Sequence, residues 1–410
     1  MSNPRITVGV PVYKGVEHIA EALDCLQRQT FKNFEVIISV DGADEETAAA
    51  CRPFLADPRF RMIVQPERLD WFGNFNWLLQ QDLGEFFCYR QHDDTTAPEF
   101  FELLLQAAES ERGAAIVYCD CQWTGGRSDI EIAPSIEGEP LARMLQYIEQ
   151  TPPAPVRGLI RRAAIRQAGL VRHDEFRGLC EIMVWLAKVV RWGNFRRIPR
   201  SLYYRLDHAH NYHKNWYDWR DERKRAAWTT LFTGLLEAAM PLCRTTQERL
   251  FLQHVILDRV VVFRPTRNYL YCPTNEPRSG GDLIAECLER LRYEGNTHLL
   301  AVPIDSTFDA EWYLSVYPDV RAEVQAGTIK SALDHYRTHG YFEKRLPSKP
   351  VVDEAWYLQT YPDVAMAIRE GRETNSYDHF VKYGYREGRI PSLPFATGVA
   401  SVRPECGDQA

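Results

Sequence analysis

Two adjacent carboxylates, Asp93 and Asp94, follow a run of aromatic and apolar residues that spans Phe86 to Tyr89. Such a run indicates a buried strand, and the segment that begins at Phe100 has helical periodicity. In open α/β sheets, ligands bind outside the carboxyl ends of the strands. Carboxylate oxygens at that edge suit a hard divalent cation that bridges to phosphates. The pair can equally form a turn and cap a helix, so this motif alone leaves both roles open.

Two further acids are candidates for chemistry. Asp41 closes a second apolar run, Phe34–Val40, where it could accept a hydrogen bond from a ribose hydroxyl or a base N–H. An Asp before a Gly is also a common turn. Glu181 opens an otherwise apolar helical stretch that contains Trp185. It could simply complement the helix dipole, but partial burial beside Trp185 would suit a general base.

The elements that must position these acids alternate between strand and helix. The predicted strands are Arg5–Tyr13, Phe34–Val40, Arg61–Val64 and Phe86–Tyr89, and the predicted helices are Val16–Gln29, Ala43–Phe54 and Phe72–Leu83. This order predicts an α/β domain with a doubly wound, mostly parallel sheet. No G-x-G-x-x-G follows the first strand and no GxxxxGK[ST] occurs in the chain. The sequence therefore favours a metal-bridged phosphate over one held by a glycine-rich loop.

Composition narrows the class of protein. The chain has 410 residues, of which 45% are hydrophobic and 26% are charged, as expected for a globular protein of two or three domains. A net charge of −7 argues against a nucleic-acid partner. Between Arg157 and Arg205, however, there are 12 Lys/Arg and 3 Asp/Glu. This basic segment indicates either an anionic ligand or a solvated face.

Cysteine usage and hydropathy predict a cytoplasmic location, or one at the inner face of the membrane. The ten cysteines are scattered and form no CxxC pair, which is typical of a reducing compartment. The first residues lack a signal-peptide core, and no apolar run approaches the ~20 residues of a membrane span. We expect at most peripheral membrane contact.

A longer motif runs from Gln29 to Gly42 and reads Q-T-F-K-N-F-E-V-I-I-S-V-D-G. Together with Trp71–Trp77 and His92–Asp94, it resembles the family 2 glycosyltransferases that have the GT-A fold. The resemblance covers roughly residues 5–210. It implies a Rossmann-like GT-A catalytic domain that transfers a sugar from a nucleotide-diphosphate sugar, an activity of EC class 2.4 and hexosyltransferase type.

The resemblance also implies a role for each matched position. The nucleotide-sugar-binding positions are Pro11, Tyr13, Glu17, Asp41, Asn76, Gln91, His92 and Asp93. Glu181 falls on the family's catalytic Asp by its spacing to Trp185. Asp93, followed by Asp94, takes the place of the last Asp of the family's D-x-D motif and would bind Mn²⁺ or Mg²⁺. Gln91 stands where that motif has its first Asp.

Histidines cluster shortly after the closing strand of the resembling region. His208 and His210 belong to a group of three histidines within six residues. They could furnish an additional metal or diphosphate contact. Isolated histidines in a polar loop are also common surface residues, and no cysteines at useful spacing support a zinc site.

The last hundred residues contain an internal repeat with an offset of 44, in which Phe308–Val320 recurs as Val352–Val364. Each copy is predicted to form two or three short helices with aromatic anchors. His335 and His379 match, which indicates packing or hydrogen bonding because catalysis seldom duplicates. The repeats resemble helical repeats appended to some bacterial polysaccharide glycosyltransferases. The predicted division is a GT-A domain (1–215), a helical region (216–303), two repeats (304–395) and a disordered tail (396–410).

These observations predict an inverting glycosyltransferase of bacterial surface polysaccharide synthesis. Its partners would be a nucleotide-sugar donor and a hydroxyl of a glycan or lipid-linked saccharide, and the helical C-terminal region could mediate self-association. The alternative is a catalytically degenerate GT-A scaffold, or a glycan-binding protein that acts through its repeats. Donor hydrolysis without acceptor discriminates between them, because a scaffold gives none. A transferase acting on polyprenyl phosphate would normally need a membrane-inserting segment.

Overall fold

The computed structural model describes residues 4–150, 152–173, 176, 180–208, 211, 219–243, 248–249, 252–253, 255–256, 308–340, 343, 345–387, 389 and 391. His210 and the predicted tail, 396–410, lie outside the described residues, as does most of the predicted helical region 216–303 beyond its first helix. The chain divides into two compact units. The first comprises Met1–Ala238 with Pro265–Cys272, and the second comprises Ala239–Arg264 with Pro273–Ala410.

A nine-stranded sheet lies at the centre of the first unit. Its strands are β1 (Ile6–Val12), β2 (Phe34–Val40), β3 (Phe60–Val64), β4 (Phe86–Tyr89), β5 (Thr95–Thr96), β6 (Ala114–Gly125), β7 (Ile130–Glu131), β8 (Leu159–Arg161) and β9 (Asn194–Asp207). Their order is β3-β2-β1-β4-β8-β6-β9-β5, and β7 pairs with β6. The first four strands pair in parallel, as the predicted alternation requires.

The other half of the sheet is mixed, and in it β6 pairs in parallel with β9. β8 pairs antiparallel with both β4 and β6, and β5 pairs antiparallel with β9. An antiparallel neighbour needs no crossover helix, so strand–helix alternation does not predict strand direction in this half. In this strand order β1 lies between β2 and β4. The carboxyl ends of these three parallel strands therefore meet at one edge of the sheet.

In the described part of the first unit, eight helices accompany the sheet: α1 (Ile19–Gln27), α2 (Glu45–Cys51), α3 (Asp70–Leu79), α4 (Phe100–Ser110), α5 (Pro140–Gln150), α6 (Arg162–Ala168), α7 (Glu181–Val190) and α8 (Asp221–Ala239). α1 begins later than predicted because the preceding loop turns through Lys14, whose φ is +50°. α2 ends early, and a 3₁₀ helix over Arg52–Ala56 follows, because Pro53 cannot donate a helical hydrogen bond. None of the helices in the described part of the chain has the length and hydropathy needed to cross a bilayer.

Phe75 on α3 is a central side chain of the core. It is fully buried, and its ring centroid lies 5.5 Å from that of Trp71, 4.9 Å from that of Tyr89 and 5.7 Å from that of Trp185. Burying such a side chain stabilises the fold by about 1.5–3 kcal/mol. α3 therefore fixes the end of β4 and the helix α7 relative to each other.

The second unit contains the two predicted repeats. Their helices are Ala310–Val316, Pro318–Gln325 and Ala332–His335 in the first copy, and Glu354–Thr360, Pro362–Arg369 and Ser376–His379 in the second. Each copy closes with a five-residue π-helical turn, at Tyr336–Gly340 and Phe380–Gly384. The helical reading of both copies is thus confirmed.

The matched histidines make matched hydrogen bonds. Nδ1 of His335 lies 3.1 Å from the hydroxyl of Tyr313, and Nδ1 of His379 lies 3.1 Å from that of Tyr357. All four side chains are buried. The histidines therefore hold each repeat together, as the duplication predicts. Trp312 joins the copies, because its Nε1 donates to the hydroxyl of Tyr377 at 3.1 Å.

Candidate active site

The loops that follow β1, β2 and β4 are bound to one another. The backbone N–H of Lys14 donates to Oδ2 of Asp44 at 2.7 Å, and that of Gly15 donates to Oγ1 of Thr47 at 3.1 Å. Gly15 also lies against His92, since a Cβ at Gly15 would come within 2.8 Å of the imidazole Cδ2. These contacts assemble the three strand ends into one surface.

Asp41 is buried at the end of β2. Its Oδ1 accepts a hydrogen bond from the backbone N–H of Leu69 at 2.7 Å, and Nε of Arg68 lies 4.0 Å from its Oδ2. Burial raises the pKa of Asp41 above its ordinary value, against the opposing effects of Leu69 and Arg68. The Arg68 guanidinium stacks on the ring of Tyr13, 3.6 Å from its centroid. The sequence analysis missed Arg68, for which the only signal was a cation just before the motif that starts at Trp71.

Three other predicted donor-site residues lie in different surroundings. Pro11 is buried within β1. The side chain of Glu17 is 78% exposed, and its Oε2 lies 3.8 Å from Nε2 of His18. Asn76 donates from Nδ2 to the carbonyl of Val171 at 2.8 Å, and its Oδ1 accepts from the Val171 N–H at 2.9 Å. The Asn76 amide therefore anchors the segment after α6.

Asp93 faces the histidine loop. Its Oδ2 lies 3.0 Å from Nε2 of His208 and 3.4 Å from Nδ2 of Asn211. The His208 ring also packs on that of His18, with centroids 4.7 Å apart. Burial works against ionisation of Asp93, but the neighbouring His92 and the hydrogen bond from His208 outweigh it and hold the pKa of Asp93 below its ordinary value. Asn211 was missed by the sequence analysis.

Asp94 points in another direction from its neighbour. Its Oδ2 accepts from the Tyr203 hydroxyl at 2.9 Å, and its Oδ1 accepts from the backbone N–H of Leu206 at 3.1 Å. Burial and the adjacent charge of Asp93 raise the pKa of Asp94 to about 6. Asp94 thus fastens the loop after β4 to β9, whereas Asp93 remains beside His208.

Most cationic side chains of the basic segment, residues 157–205, make contacts within the first unit. Eight of its twelve cationic side chains bind acidic groups, a carbonyl oxygen or Gln91 within the first unit: Arg157, Arg161, Arg162, Arg172, Arg196, Arg197, Arg200 and Arg205. Long side chains that are paired in this way do not form a free anion-binding face. Arg157 is the member that lies beneath the β4 loop, where it contacts Gln91.

Glu181 is the first residue of α7, and only 1% of its surface is exposed. Its Oε1 lies 3.2 Å from Nη2 of Arg172, and Arg172 also contacts Glu237 at 3.4 Å. Arg172 therefore donates a charge-assisted hydrogen bond to Glu181. One turn later, Trp185 donates from Nε1 to the carbonyl of Gly169 at 2.8 Å. The sequence analysis found Glu181 but missed Arg172.

α3 links the two halves of the site. The residue before it, Leu69, binds Asp41, while Trp71 donates from Nε1 to the Tyr89 hydroxyl at 3.0 Å. Tyr89 ends β4, two residues before Gln91. Phe75 packs on Trp185, which lies one turn from Glu181. The helix therefore positions the acid of β2, the loop after β4 and the start of α7 together.

Asp93 and His208 fit a divalent cation that a phosphate ligand completes. A carboxylate oxygen and an imidazole nitrogen 3.0 Å apart are donor types that Mn²⁺ accepts. Mg²⁺ is usually bound by one or two carboxylates together with substrate phosphates. Within the described ranges, no group of three or more His, Cys, Asp or Glu side chains is arranged to hold a metal by itself. His210 lies outside those ranges.

Part of the first unit is similar to a known protein family. Residues 7–168 match the model of "Glycosyl transferase family 2". The match includes Asp41, Asp93 and Asp94 and ends before Glu181 and His208. The putative glycosyltransferase EpsH of Bacillus subtilis (strain 168) is 27% identical over 176 residues, which are 42% of this chain and 50% of EpsH. Glycosyltransferase GlyG of Streptococcus pneumoniae serotype 4 is 26% identical over 113 residues, which are 27% of this chain and 37% of GlyG. The chain therefore spans half or less of these relatives.

Solved structures agree with the predicted GT-A fold. S. aureus TarS (residues 1–349) in complex with UDP-GlcNAc has a TM-score of 0.54 and 16% identity, over 85% of this chain and 94% of that chain. TarS in complex with UDP has a TM-score of 0.52 and 15% identity over the same shares. The fold predicted from the resemblance is confirmed.

Proposed function

We propose that the chain is an inverting glycosyltransferase that moves a sugar from a nucleoside-diphosphate sugar to a hydroxyl of a glycan or lipid-linked saccharide, in bacterial surface polysaccharide synthesis. One observation carries the proposal. In a chain whose residues 7–168 match the family 2 glycosyltransferase model, α3 ties the buried Asp41 to the loop that bears Asp93 and to the helix that begins at Glu181.

The nucleoside is bound by the groups at the ends of β1 and β2. The stacked pair of Arg68 and Tyr13 offers a planar surface with cationic character, which suits an aromatic base. Asp41, oriented by the Leu69 N–H, accepts a hydrogen bond from a base N–H or a ribose hydroxyl. A buried acceptor rejects a ligand without a matching donor, because the acceptor would lose its partner.

The diphosphate lies over the loop after β4. Asp93 and His208 would hold the divalent cation, which when bound neutralises charge on the leaving diphosphate. Asp94 keeps the loop in place through Tyr203 and Leu206, and so contributes position rather than a metal ligand.

Glu181 is the general base in this proposal. Its carboxylate takes the proton of the acceptor hydroxyl, and the hydroxyl oxygen bonds to the anomeric carbon as the bond to the phosphate oxygen breaks. The diphosphate leaves with the electron pair, and attack from the opposite face inverts the anomeric centre. Arg172, 3.2 Å away, orients the Glu181 carboxylate through a charge-assisted hydrogen bond. A retaining mechanism would instead need a second close carboxylate as nucleophile.

A thermal-shift screen of UDP-, GDP- and dTDP-sugars, each with and without Mn²⁺, tests donor binding. A ligand at 100 times its dissociation constant should add ~2.7 kcal/mol of stability. UDP-sugars come first because TarS structures hold UDP and UDP-GlcNAc. A chain that none of these donors stabilises, under either condition, would contradict the proposal. Hydrolysis of the bound donor then separates an enzyme from a degenerate scaffold.

A further inference from the structure

Gln91 occupies the position at which the D-x-D motif has its first acid, and its side chain is held by a buried cation. Nε and Nη2 of Arg157 both donate to Oε1 of Gln91, at 3.2 and 2.9 Å. The Arg157 side chain is only 9% exposed. It ends a short 3₁₀ helix, Ala154–Arg157, and the next residue, Gly158, lies so close to the β6 backbone that a Cβ there would meet the carbonyl of Val117. Arg157 is thereby placed beneath the β4 loop.

This contact fixes the orientation of the Gln91 side-chain amide. A guanidinium has only N–H donors, so the atom that faces Arg157 must be the carbonyl oxygen. The amide nitrogen is on the other branch of the planar group and points away from Arg157. Gln91 is partly exposed, and no hydrogen bond among the described residues uses its Nε2. Position 91 therefore presents N–H donors where an acid would present acceptors.

The charges beneath the loop also favour an anion above it. Three guanidinium groups, those of Arg90, Arg157 and Arg205, lie among two carboxylates, Asp94 and Glu131. Arg90 is fully buried, and its Nε and Nη1, like Nη1 of Arg157, have no hydrogen-bond partner in the described part of the chain. Buried guanidinium N–H groups without partners are costly, and an anionic ligand on the loop would interact favourably with these cations.

We propose that Gln91 binds a diphosphate oxygen of the sugar donor through its side-chain N–H, with Arg157 as the positioning residue that sets the amide. The inference rests on the proposed function and adds a consequence to it. The side-chain N–H of Gln91 attracts the diphosphate directly. Because the amide is neutral, the site has one negative charge fewer to bind a cation than it would have with an acid at position 91. Affinity for the nucleoside diphosphate therefore depends less on metal than it would with an acid at position 91.

Isothermal titration of UDP, GDP and dTDP into the full chain, in Mn²⁺ and in EDTA, tests this inference. For the wild type, the dissociation constant of the nucleotide that binds should rise by less than about tenfold when Mn²⁺ is removed. Gln91→Glu removes the N–H donors and adds a charge, so it should enlarge that metal response by at least about tenfold, the scale of one charge-assisted hydrogen bond. Gln106→Glu makes the same charge change on the exposed face of α4 and should leave the response unaltered.

Arg157 is tested by two substitutions. Arg157→Met frees the amide to rotate and should shift the metal response in the direction of Gln91→Glu, and Arg157→Lys, which keeps a donor, should restore part of the wild-type response. If Arg157→Met does not fold, the Gln91 variants decide. Equal metal responses in wild type and Gln91→Glu would overturn the inference but leave the proposed function standing, since the nucleotide still binds. Wild-type protein that binds none of the three nucleotides, in either buffer, would overturn both.

Discussion

Asp93 and Asp94 are adjacent and identical in type, yet the fold gives them different surroundings. Asp94 is bound by Tyr203 and by the Leu206 N–H, while Asp93 lies 3.0 Å from His208. All three partners come from β9 or the residue that follows it, more than a hundred positions downstream. The sequence predicted a site at this pair but could not assign different roles to Asp93 and Asp94, because the difference depends on contacts with that distant strand.

The contribution of Asp94 to the stability of the protein should fall between pH 4 and pH 6. Burial raises the pKa of Asp94 from 3.8 to about 6 in the folded chain. Between these values the folded chain keeps a proton that the unfolded chain releases, so the free energy of unfolding decreases as the pH rises. Asp94→Asn cannot ionise and should remove this decrease, which is at most about 3 kcal/mol. Urea denaturation at pH 4, 5 and 6 measures it.

Asp82→Asn is the control for that experiment, because Asp82 is exposed in the loop between α3 and β4. It should keep the wild-type dependence of stability on pH. If the free energy of unfolding of Asp94→Asn depends on pH as that of the wild type does, Asp94 does not carry a raised pKa.

Three arginines that the sequence analysis missed share one property. Arg68, Arg157 and Arg172 reach their partners through long side chains, across 27, 66 and 9 positions of the chain. Neither periodicity nor motif spacing encodes such contacts. Asp41, Asp93 and Glu181, in contrast, lie at strand ends or at a helix start, which are positions that an apolar pattern locates.

Among the elements, those with a long apolar pattern were predicted and the short ones were not. β1, β2 and β4 follow their apolar runs to within about two residues. β5 and β8 have two and three residues, too few to show a period, and exist because neighbouring strands supply their partners. α3 was predicted at Phe72–Leu83 but spans Asp70–Leu79. Its function as a link could not be predicted, because it depends on which rings meet Phe75.

A glycine in each repeat allows a tyrosine hydroxyl to approach the backbone. At Gly384, the Tyr357 hydroxyl occupies the place of a Cβ, and Gly340 and Tyr313 repeat the contact. Gly384→Ala should therefore lower the free energy of unfolding by about 1–3 kcal/mol. Tyr357→Phe removes the hydroxyl, so the double substitution should cost less than the sum of the single ones by about 1 kcal/mol or more. Thermal unfolding of the four proteins gives this coupling.

Gly371→Ala provides the matched control. Gly371 has a φ of +71° and no atom within 4 Å of a Cβ, so its substitution strains only the backbone. The cost of about 1 kcal/mol should simply add to that of Tyr357→Phe. Simple additivity at Gly384 would contradict the steric explanation.

At the level of the whole molecule, the described donor-site residues all precede Ala239, whereas the repeats belong to the second unit. A chain that ends after Pro303 should therefore bind its nucleoside diphosphate within about threefold of the full chain, a difference of less than 1 kcal/mol. Calorimetry on the two proteins checks this, with far-UV circular dichroism to confirm folding. Loss of binding by a folded shortened chain would show that the repeats contribute to the donor site.

The division into a sheet domain and helical repeats followed from the sequence, because β-α alternation and a 44-residue offset are long-range patterns. Strand direction beyond β4 did not, since it depends on pairing between distant segments. The pairing of the basic segment could not be predicted for a similar reason. Its charges looked free in the sequence, but Glu85, Asp120 and Glu131 lie on other elements and bind three of them.

The central claim is that Glu181 acts as the base beside a separate donor site. It is tested most directly by the release of nucleoside diphosphate from the sugar donor that the screen selects, with donor affinity measured on the same proteins. Glu181→Gln should lose ~10²-fold or more in turnover while its donor affinity stays within about threefold. Glu237→Gln, which alters the other carboxylate bound to Arg172, should retain turnover and affinity. Turnover that survives in Glu181→Gln would contradict the account.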